Sequence, residues 1–229
     1  MWAPYPSLAR ALEGRGAPAT PFQGAPVPAA RPAAPQASPA SNTAAETTFR
    51  ARIAHAETGA GRANEGYGAR NAASGALGRY QLTPQALRDL GWQDGDGRWT
   101  GLAARHGVAS DAEFLASRAA QEAAMGAYLR RAEAQLDRNG SLARSGSTVT
   151  GMDGTPVLLT EAGLVAAVHR RGAGSVARYL AHRGAPSDAA PLLTAAERRA
   201  FAAVEQRLRD FAELRYAAAT RSGGRAPVG

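Results

Sequence analysis

Apolar residues recur every three to four positions along much of the chain after about residue 43, and this spacing predicts a mainly α-helical domain. The first helix is predicted to begin at Thr43, because Thr43 and Glu46 have the spacing of a capping box. Its apolar face carries Phe49 and Ile53, and a further step of four residues reaches Glu57. The sequence therefore predicts a carboxylate on the core-facing row at the end of this helix.

Each of the later predicted helices begins with a residue whose side chain can cap the first turn. These residues are Thr83, Ser110, Thr160 and Thr194. The helical region after Ser110 is predicted to run to about Arg138, and the region after Thr160 to be interrupted by small residues at 172–174. The amphipathic helix after Thr194 either packs on the domain, which we favour, or pairs with a partner helix.

Strand signals are confined to one place in the sequence. Residues 148–150 and 156–159 are rich in Val, Leu and Thr, and they flank an Asp-Gly pair that favours a tight turn. Residues 92–109 are predicted to be a loop, in which the DGDG segment at 94–97 lacks the other ligands of a calcium loop and is interpreted as a plain turn. The predicted fold class is thus mainly α with a small β-hairpin.

Composition divides the chain into a folded part and flanking segments. Nine of the 14 prolines precede Ser41 and alternate with alanine, which predicts a disordered Pro/Ala-rich arm over residues 1–42. The helical domain is predicted over residues 43–190, the C-terminal amphipathic helix over 191–220, and a loose tail over 221–229. The opening residues lack a basic start followed by an apolar run, so no signal peptide is predicted. The apolar stretches elsewhere are too short to span a membrane, so no transmembrane segment is predicted.

Charge and reactive residues narrow the function classes. All 27 basic residues are arginine and the formal net charge is +8, which favours anionic partners such as nucleic acid, membrane surfaces or the bacterial cell wall. The arginines are scattered and aromatic residues make up only 6% of the chain, so specific nucleic-acid binding is disfavoured. The absence of cysteine excludes thiol chemistry, and the four histidines lack metal-ligand spacing, so no metal or cofactor is predicted.

Glu57 is the main candidate for chemistry. Partial burial and the negative end of the helix dipole are both expected to raise the pKa of Glu57. A carboxyl group that holds its proton near neutral pH can act as the general acid of glycoside cleavage. The alternative is an ordinary helix-end glutamate that turns into solvent.

Three segments together resemble a known family. The sequence HAETG at residues 55–59, followed by GALGRYQ at 75–81, resembles the soluble lytic transglycosylase branch of the lysozyme-like superfamily. Residues 164–176 are similar to the third motif of that family, and residues 114–122 to its middle helix. The resemblance covers residues 46–184 and is closest to the peptidoglycan-degrading modules of phage tails and gene transfer agents. It implies a lysozyme-like helical domain.

The resemblance implies a role for Glu57 as a single acid/base. Glu57 would protonate the β-1,4 glycosidic oxygen between MurNAc and GlcNAc, and would then accept a proton from the sugar 6-hydroxyl or from water. The first route is that of a lytic transglycosylase and the second that of a muramidase. Glu65, Asp153 and Glu161 remain candidates for a second carboxylate.

The resemblance also implies a set of substrate-binding residues. Gln81 would offer its amide to the sugar, and Gly75 and Gly78 would let the backbone approach the glycan, although a structural turn would need the same glycines. Tyr80 would contact either a sugar face or the core. His169 stands where cellular relatives have tyrosine, and would either contact Glu57 or pack within its helix.

The predicted partner is the glycan strand of peptidoglycan, and the predicted place of action is the cell wall or periplasm. The arm or the C-terminal helix would attach the enzyme to a phage-like tail, a flagellar apparatus or a secretion assembly. A competing hypothesis is a non-catalytic cell-wall-binding or structural module that retains the lysozyme-like fold. Retention of Glu57 in a core-facing row argues against this alternative.

Overall fold

A computed structural model describes residues 39–59, 63–185 and 191–216, with side chains from residue 44 onward. The described part is mainly helical and contains one β-hairpin, as predicted. Its helices are α1 (Pro39–Thr58), α2 (Pro84–Asp89), α3 (Gly101–Ala104), α4 (Asp111–Ala116), α5 (Arg118–Arg138), α6 (Glu161–Arg171), α7 (Ala173–Gly184) and α8 (Ala195–Asp210). Short 3₁₀ turns lie at Ala63–Gly66 and Leu142–Arg144, and the strands are β1 (Thr148–Thr150) and β2 (Pro156–Leu158).

All described residues belong to one compact unit. Of the predicted arm over 1–42, residues 39–42 are part of α1 and the remainder lies outside the described residues. The predicted loose tail over 221–229 also lies outside them. None of the described helices is both long enough and apolar enough to cross a membrane.

Side-chain caps fix most of the predicted helix starts. The hydroxyls of Thr83 and Thr160 accept hydrogen bonds from backbone amides in the first turns of α2 and α6. Thr194 forms a complete capping box, in which the Glu197 carboxylate accepts in return from the Thr194 backbone amide. Side chains close in sequence thus accept from the free backbone amides at these helix starts. Sequence spacing can predict the helix starts for this reason.

One predicted helix start is wrong, and two other predicted segments contain an unpredicted break or turn. The first helix begins at Pro39 and not at Thr43, and Glu46 forms an ion pair with Arg50 one turn later at 2.5 Å. The helical region after Ser110 breaks at Ser117, whose backbone is extended and whose hydroxyl caps α5. The predicted loop over 92–109 contains the single turn α3, which forms where tertiary packing buries Ala103 completely.

The hairpin packs on the helices that follow it. The antiparallel register pairs Val149 with Val157, and both side chains are buried. Arg183 in α7 donates to the Thr150 carbonyl at 2.7 Å, and Glu205 in α8 accepts from the Met152 amide at 2.8 Å. The hairpin therefore ties α7 and α8 to one side of the domain.

Helix α6 lies at the centre of the core. All seven residues from 162 to 168 are buried, and α8 packs closely against this helix. At Gly163 an added Cβ would lie 3.0 Å from the Leu208 carbonyl oxygen, so any larger residue would press on the backbone of α8. The apolar residues of α8 and its C-terminal cap are buried: Phe201, Val204, Leu208 and Phe211. The last helix thus packs on its own domain, which is the alternative we favoured.

A candidate active site between α1, α6 and α8

Glu57 lines a cavity of about 680 Å³ near the end of α1. The other walls come from the loop over residues 63–83, from the end of α6 and from α8. The polar side chains of these walls include Asn71, Gln81, His169, Arg170 and Arg207. The chain thus brings one carboxylate and several hydrogen-bonding groups to a single cleft.

Two smaller cavities adjoin the first one. A cavity of about 290 Å³ shares Glu57, Asn71 and Gln81 with it, and a cavity of about 370 Å³ shares Thr83, His169 and Arg170. Shared lining residues place the other two cavities next to the main one, and we refer to the three together as the groove. Glu57 lines two of these cavities.

Three positive or protonatable groups surround the Glu57 carboxylate. Nη2 of Arg207 donates to Oε1 of Glu57 at 2.6 Å. Nδ1 of His169 lies 3.6 Å from the same oxygen, and Nη1 of Arg170 lies 4.0 Å from Oε2. The Glu57 side chain is 11% exposed, so these charges act where water screens them only in part.

The predicted direction of the Glu57 pKa is wrong. Burial raises the pKa of Glu57, as expected. The interaction with His169 and the positive charges of Arg207 and Arg170 together lower this pKa by more than burial raises it. The net pKa of Glu57 is below its ordinary value of 4.5. In the structure described here, Glu57 is therefore an anion at neutral pH.

His169 lies against Glu57 and is nearly buried. Its side chain is 5% exposed, and its ring meets the edge of the Tyr128 ring at a centroid distance of 5.2 Å. Nδ1 of His169 is buried, and it has no hydrogen-bond partner within the described part of the chain. At 3.6 Å from Glu57, a small movement of either side chain would form a hydrogen bond.

The two glycines proposed from sequence as substrate-binding, Gly75 and Gly78, have identifiable structural roles in the 63–83 loop. Gly78 has φ +75°, and a Cβ there would come within 2.1 Å of the Gln121 side-chain oxygen. That oxygen accepts from the Arg79 amide at 2.9 Å, so α5 holds the loop by its backbone. Gly75 has φ +70°, and its Cβ would press on the Pro84 ring at 3.2 Å. Both glycines satisfy turn geometry, the alternative left open by their sequence.

Gln81 and Tyr80 lie in different environments. Gln81 lines the main cavity, although its amide nitrogen donates to the Gly78 carbonyl at 2.9 Å. Tyr80 is 2% exposed and belongs to the core, and its hydroxyl donates to Glu122 in α5. The predicted contact of Tyr80 with a sugar face is therefore not supported, because its ring does not line the cavity.

Among the other carboxylates proposed from sequence, Glu65 forms ion pairs with Arg79 and Arg118, and Asp153 pairs with Arg209. Glu161 lies in the first turn of α6. None of the three lines the cavity beside Glu57. Asp210 does line it, although sequence reasoning did not select it.

Arg207 is the most important residue that sequence reasoning missed. It is 8% exposed, and it lies three residues after Val204 and four before Phe211, on the buried side of α8. An arginine within an apolar stripe requires a buried anion nearby, and this was the available signal. The sequence does not reveal that the anion is Glu57, which is 150 positions away.

Within the described residues, no three His, Asp or Glu side chains are grouped so as to hold a metal ion. No family model, curated protein or solved structure matches this chain. The groove and its residues are therefore the basis for assigning a function.

Proposed function

We propose that the protein is a peptidoglycan-cleaving glycosidase that uses Glu57 as a single acid/base on the MurNAc–GlcNAc bond. The observation that carries this proposal is a nearly buried carboxylate that lines two adjoining polar cavities. A linear glycan needs space on both sides of the bond that is cleaved. The three adjoining cavities supply this space.

In the proposed reaction, Glu57 gives a proton to the glycosidic oxygen as the bond from this oxygen to the anomeric carbon breaks. The resulting Glu57 carboxylate then takes a proton from the nucleophile, which is either the sugar 6-hydroxyl or water. The ionised resting form suits the second step. The first step requires Glu57 to take up a proton, and hence to loosen its ion pair with Arg207.

The chemistry of the groove leaves both products open. An anhydro product needs no second carboxylate, whereas hydrolysis benefits from a group that orients water. Asp210 lines the same cavity and accepts a hydrogen bond from Gln206 at 2.8 Å, so it is the candidate for that group. An Asp210→Asn variant that shifts the product ratio towards the anhydro sugar would support this role.

The proposed place of action is the bacterial cell wall, as a component of a phage-like particle or of another wall-penetrating assembly. The net charge of +8 favours attraction to an anionic wall. Since α8 buries its apolar stripe against α6, attachment of the enzyme to an assembly is better assigned to the arm.

The test is incubation of the purified protein with peptidoglycan sacculi, followed by identification of released muropeptides by mass spectrometry. The Glu57→Gln variant should release none. Glu65→Gln is a matched control, because Glu65 is an exposed, arginine-paired glutamate outside the main cavity, and it should retain activity. Equal release by the wild type and Glu57→Gln would overturn the proposal.

A second candidate function is a non-catalytic wall-binding module, and the Glu57–Arg207 ion pair favours it. A carboxylate held at 2.6 Å from a guanidinium is stabilised as an anion and is a poor acid in that state. Binding of the wild type to sacculi without release of any fragment would support this candidate over the glycosidase.

A further inference from the structure

The arginines around Glu57 have more hydrogen-bonding capacity than Glu57 uses. Arg207 presents five N–H donors, yet within the described residues only its Nη2 forms a hydrogen bond. Arg170 is 53% exposed, and at 4.0 Å from Glu57 it is too distant for a hydrogen bond. Both side chains line the main cavity. Their remaining donors are therefore available to a ligand in the groove.

The two guanidinium groups approach the carboxylate from different helices and near different oxygens. Arg207 in α8 contacts Oε1, and Arg170 in α6 lies near Oε2. The other charged or protonatable groups that line this cavity are His169 and Asp210. Asp210 accepts from Gln206, and among the described residues no hydrogen bond joins it to Arg170 or Arg207.

A guanidinium binds a carboxylate most strongly through two parallel hydrogen bonds. Arg207 donates only one to Glu57, so an incoming carboxylate that forms two could compete for it. A ligand held by these arginines would lie within a few ångströms of Glu57. The ligand would then leave Glu57 with less positive charge and a second negative charge beside it, and both changes favour protonation of Glu57.

We propose that Arg207 and Arg170 form a carboxylate-binding subsite, and that a carboxylate on the glycan takes Arg207 away from Glu57. This inference rests on the proposed function and specifies its substrate as a glycan with an acidic group beside the cleaved bond. The lactyl carboxylate of a MurNAc residue that carries no stem peptide has this chemistry. MurNAc residues whose lactyl group is amide-linked to a peptide lack it, as do the neutral GlcNAc chains of chitin. Glu57 takes up one proton from solvent on binding, and this is the proton that it later donates to the glycosidic oxygen.

The probe for this subsite is the disaccharide GlcNAc–MurNAc, which lacks the MurNAc-to-GlcNAc bond and so stays intact during the measurement. Its counterpart has the lactyl carboxylate reduced to an alcohol. Calorimetric titration of the wild-type protein should show at least about tenfold tighter binding of the acidic disaccharide. Arg207→Gln and Arg170→Gln should each reduce this preference. Arg199→Gln, an exposed arginine of the same helix, should retain it.

A second readout tests the exchange of partners. Carbon-13 NMR of the Glu57 carboxyl should show its pKa rising when the acidic disaccharide is added, and remaining unchanged with the reduced one. Equal affinity for the two disaccharides, or a preference that survives Arg207→Gln, would overturn the subsite. Arg170 is half-exposed, so its variant keeps the test valid if Arg207→Gln fails to fold.

These outcomes are distinct from those of the sacculus assay. Cleavage of sacculi without preference for the acidic disaccharide would refute the subsite and leave the glycosidase intact. Preference for the acidic disaccharide without cleavage of sacculi would refute the glycosidase and leave the subsite.

Discussion

Two glutamates of this domain, Glu57 and Glu122, have arginine partners and lowered pKa values, yet their surroundings differ. Burial raises the pKa of Glu122, but hydrogen bonds from Tyr80, Tyr67 and Arg50 outweigh that effect. Glu57 accepts one hydrogen bond, from Arg207, and its other neighbours lie at 3.6 and 4.0 Å. Both side-chain oxygens of Glu122 therefore accept hydrogen bonds, whereas among the described residues only Oε1 of Glu57 does so.

Of these two glutamates, the more exposed one has the structural role. The Glu122 side chain is 36% exposed and braces the 63–83 loop against α5, whereas Glu57 is 11% exposed and faces a cavity. A carboxylate whose oxygens are all engaged by rigid donors holds structure together. A carboxylate held by a single bond beside a cavity can exchange partners and protons, which is what a catalytic acid requires.

The largest effect on stability is expected at Gly78, because this residue allows the Gln121 side chain to bind the loop. Gly78→Ala places a Cβ 2.1 Å from Gln121 in a backbone with φ +75°, so the free energy of unfolding should fall by about 3 kcal/mol. Denaturant unfolding measures this change.

A matched variant separates collision from backbone strain. Gly97 has φ +81° with no atom within 4 Å of an added Cβ, so Gly97→Ala should cost only about 1 kcal/mol. Equal losses in the two alanine variants would show that backbone strain alone accounts for Gly78.

The next largest effect on stability is expected at Glu122, and it can be compared directly with the effect at Glu57. Glu122→Gln disrupts an acceptor shared by two tyrosines and an arginine, so the free energy of unfolding should fall by about 2 kcal/mol. Glu57→Gln should cost less, because the amide oxygen still accepts from Arg207 and the site is open to the cavity. Denaturant midpoints that rank the two variants in the opposite order would contradict the comparison.

Removal of Arg207 should change the acid titration of Glu57. The folded pKa of Glu57 lies below 4.5, so the stability contributed by its ionised form is present above about pH 4.5 and is lost as pH falls through the folded pKa. Arg207→Gln removes one of the positive charges responsible and should raise the folded pKa towards 4.5 or above. The loss of stability on acidification should become smaller by the same linkage.

Carbon-13 NMR of the Glu57 carboxyl measures this change, with Arg199→Gln as the control. Arg199 is an exposed residue of α8, so its substitution should leave the titration unaltered. An unchanged Glu57 pKa in Arg207→Gln would mean that the ion pair does not set the ionisation of the site.

The smallest effect is expected at the start of α8, far along the helix from Arg207. Thr194→Ala removes the hydroxyl that accepts from the Glu197 amide and should cost about 1 kcal/mol in the free energy of unfolding. The Glu57 titration should be unaffected, because the substitution is thirteen positions before Arg207. A shift of that titration would show that the position of the whole helix, and not the local contact, controls the site.

Local signals in the sequence predict much of this fold. The caps at Thr83, Thr160 and Thr194 form because each hydroxyl satisfies an amide only three residues away. The hairpin follows from alternating residues around an Asp-Gly turn. The turn α3 escapes prediction because it depends on the tertiary packing that buries Ala103. The break at Ser117 has a local signal, a serine hydroxyl that caps α5, but the helical spacing continues on both sides of it and predicts one helical region.

Local signals in the sequence likewise predict only part of the candidate site. The position of Glu57 near a helix end follows from periodicity, but its ionisation depends on Arg207, which is brought from α8 by the packing of Leu208 and Val204 on α6. Tyr80 resembles a substrate contact in sequence and is a core residue in the structure, because its hydroxyl finds Glu122. Contacts between residues that are far apart in the chain produce no regular spacing, so a sequence pattern cannot predict them.

The most direct test of the central claim is the rate at which wild type, Glu57→Gln and Glu122→Gln release muropeptides from sacculi under conditions where all three are folded. If Glu57 is the acid/base, its variant should lose at least about a thousandfold in rate, as expected when an essential proton-transfer group is removed. Glu122→Gln should retain measurable release. Comparable rates for the wild type and Glu57→Gln would contradict the assignment of Glu57 as the catalytic group.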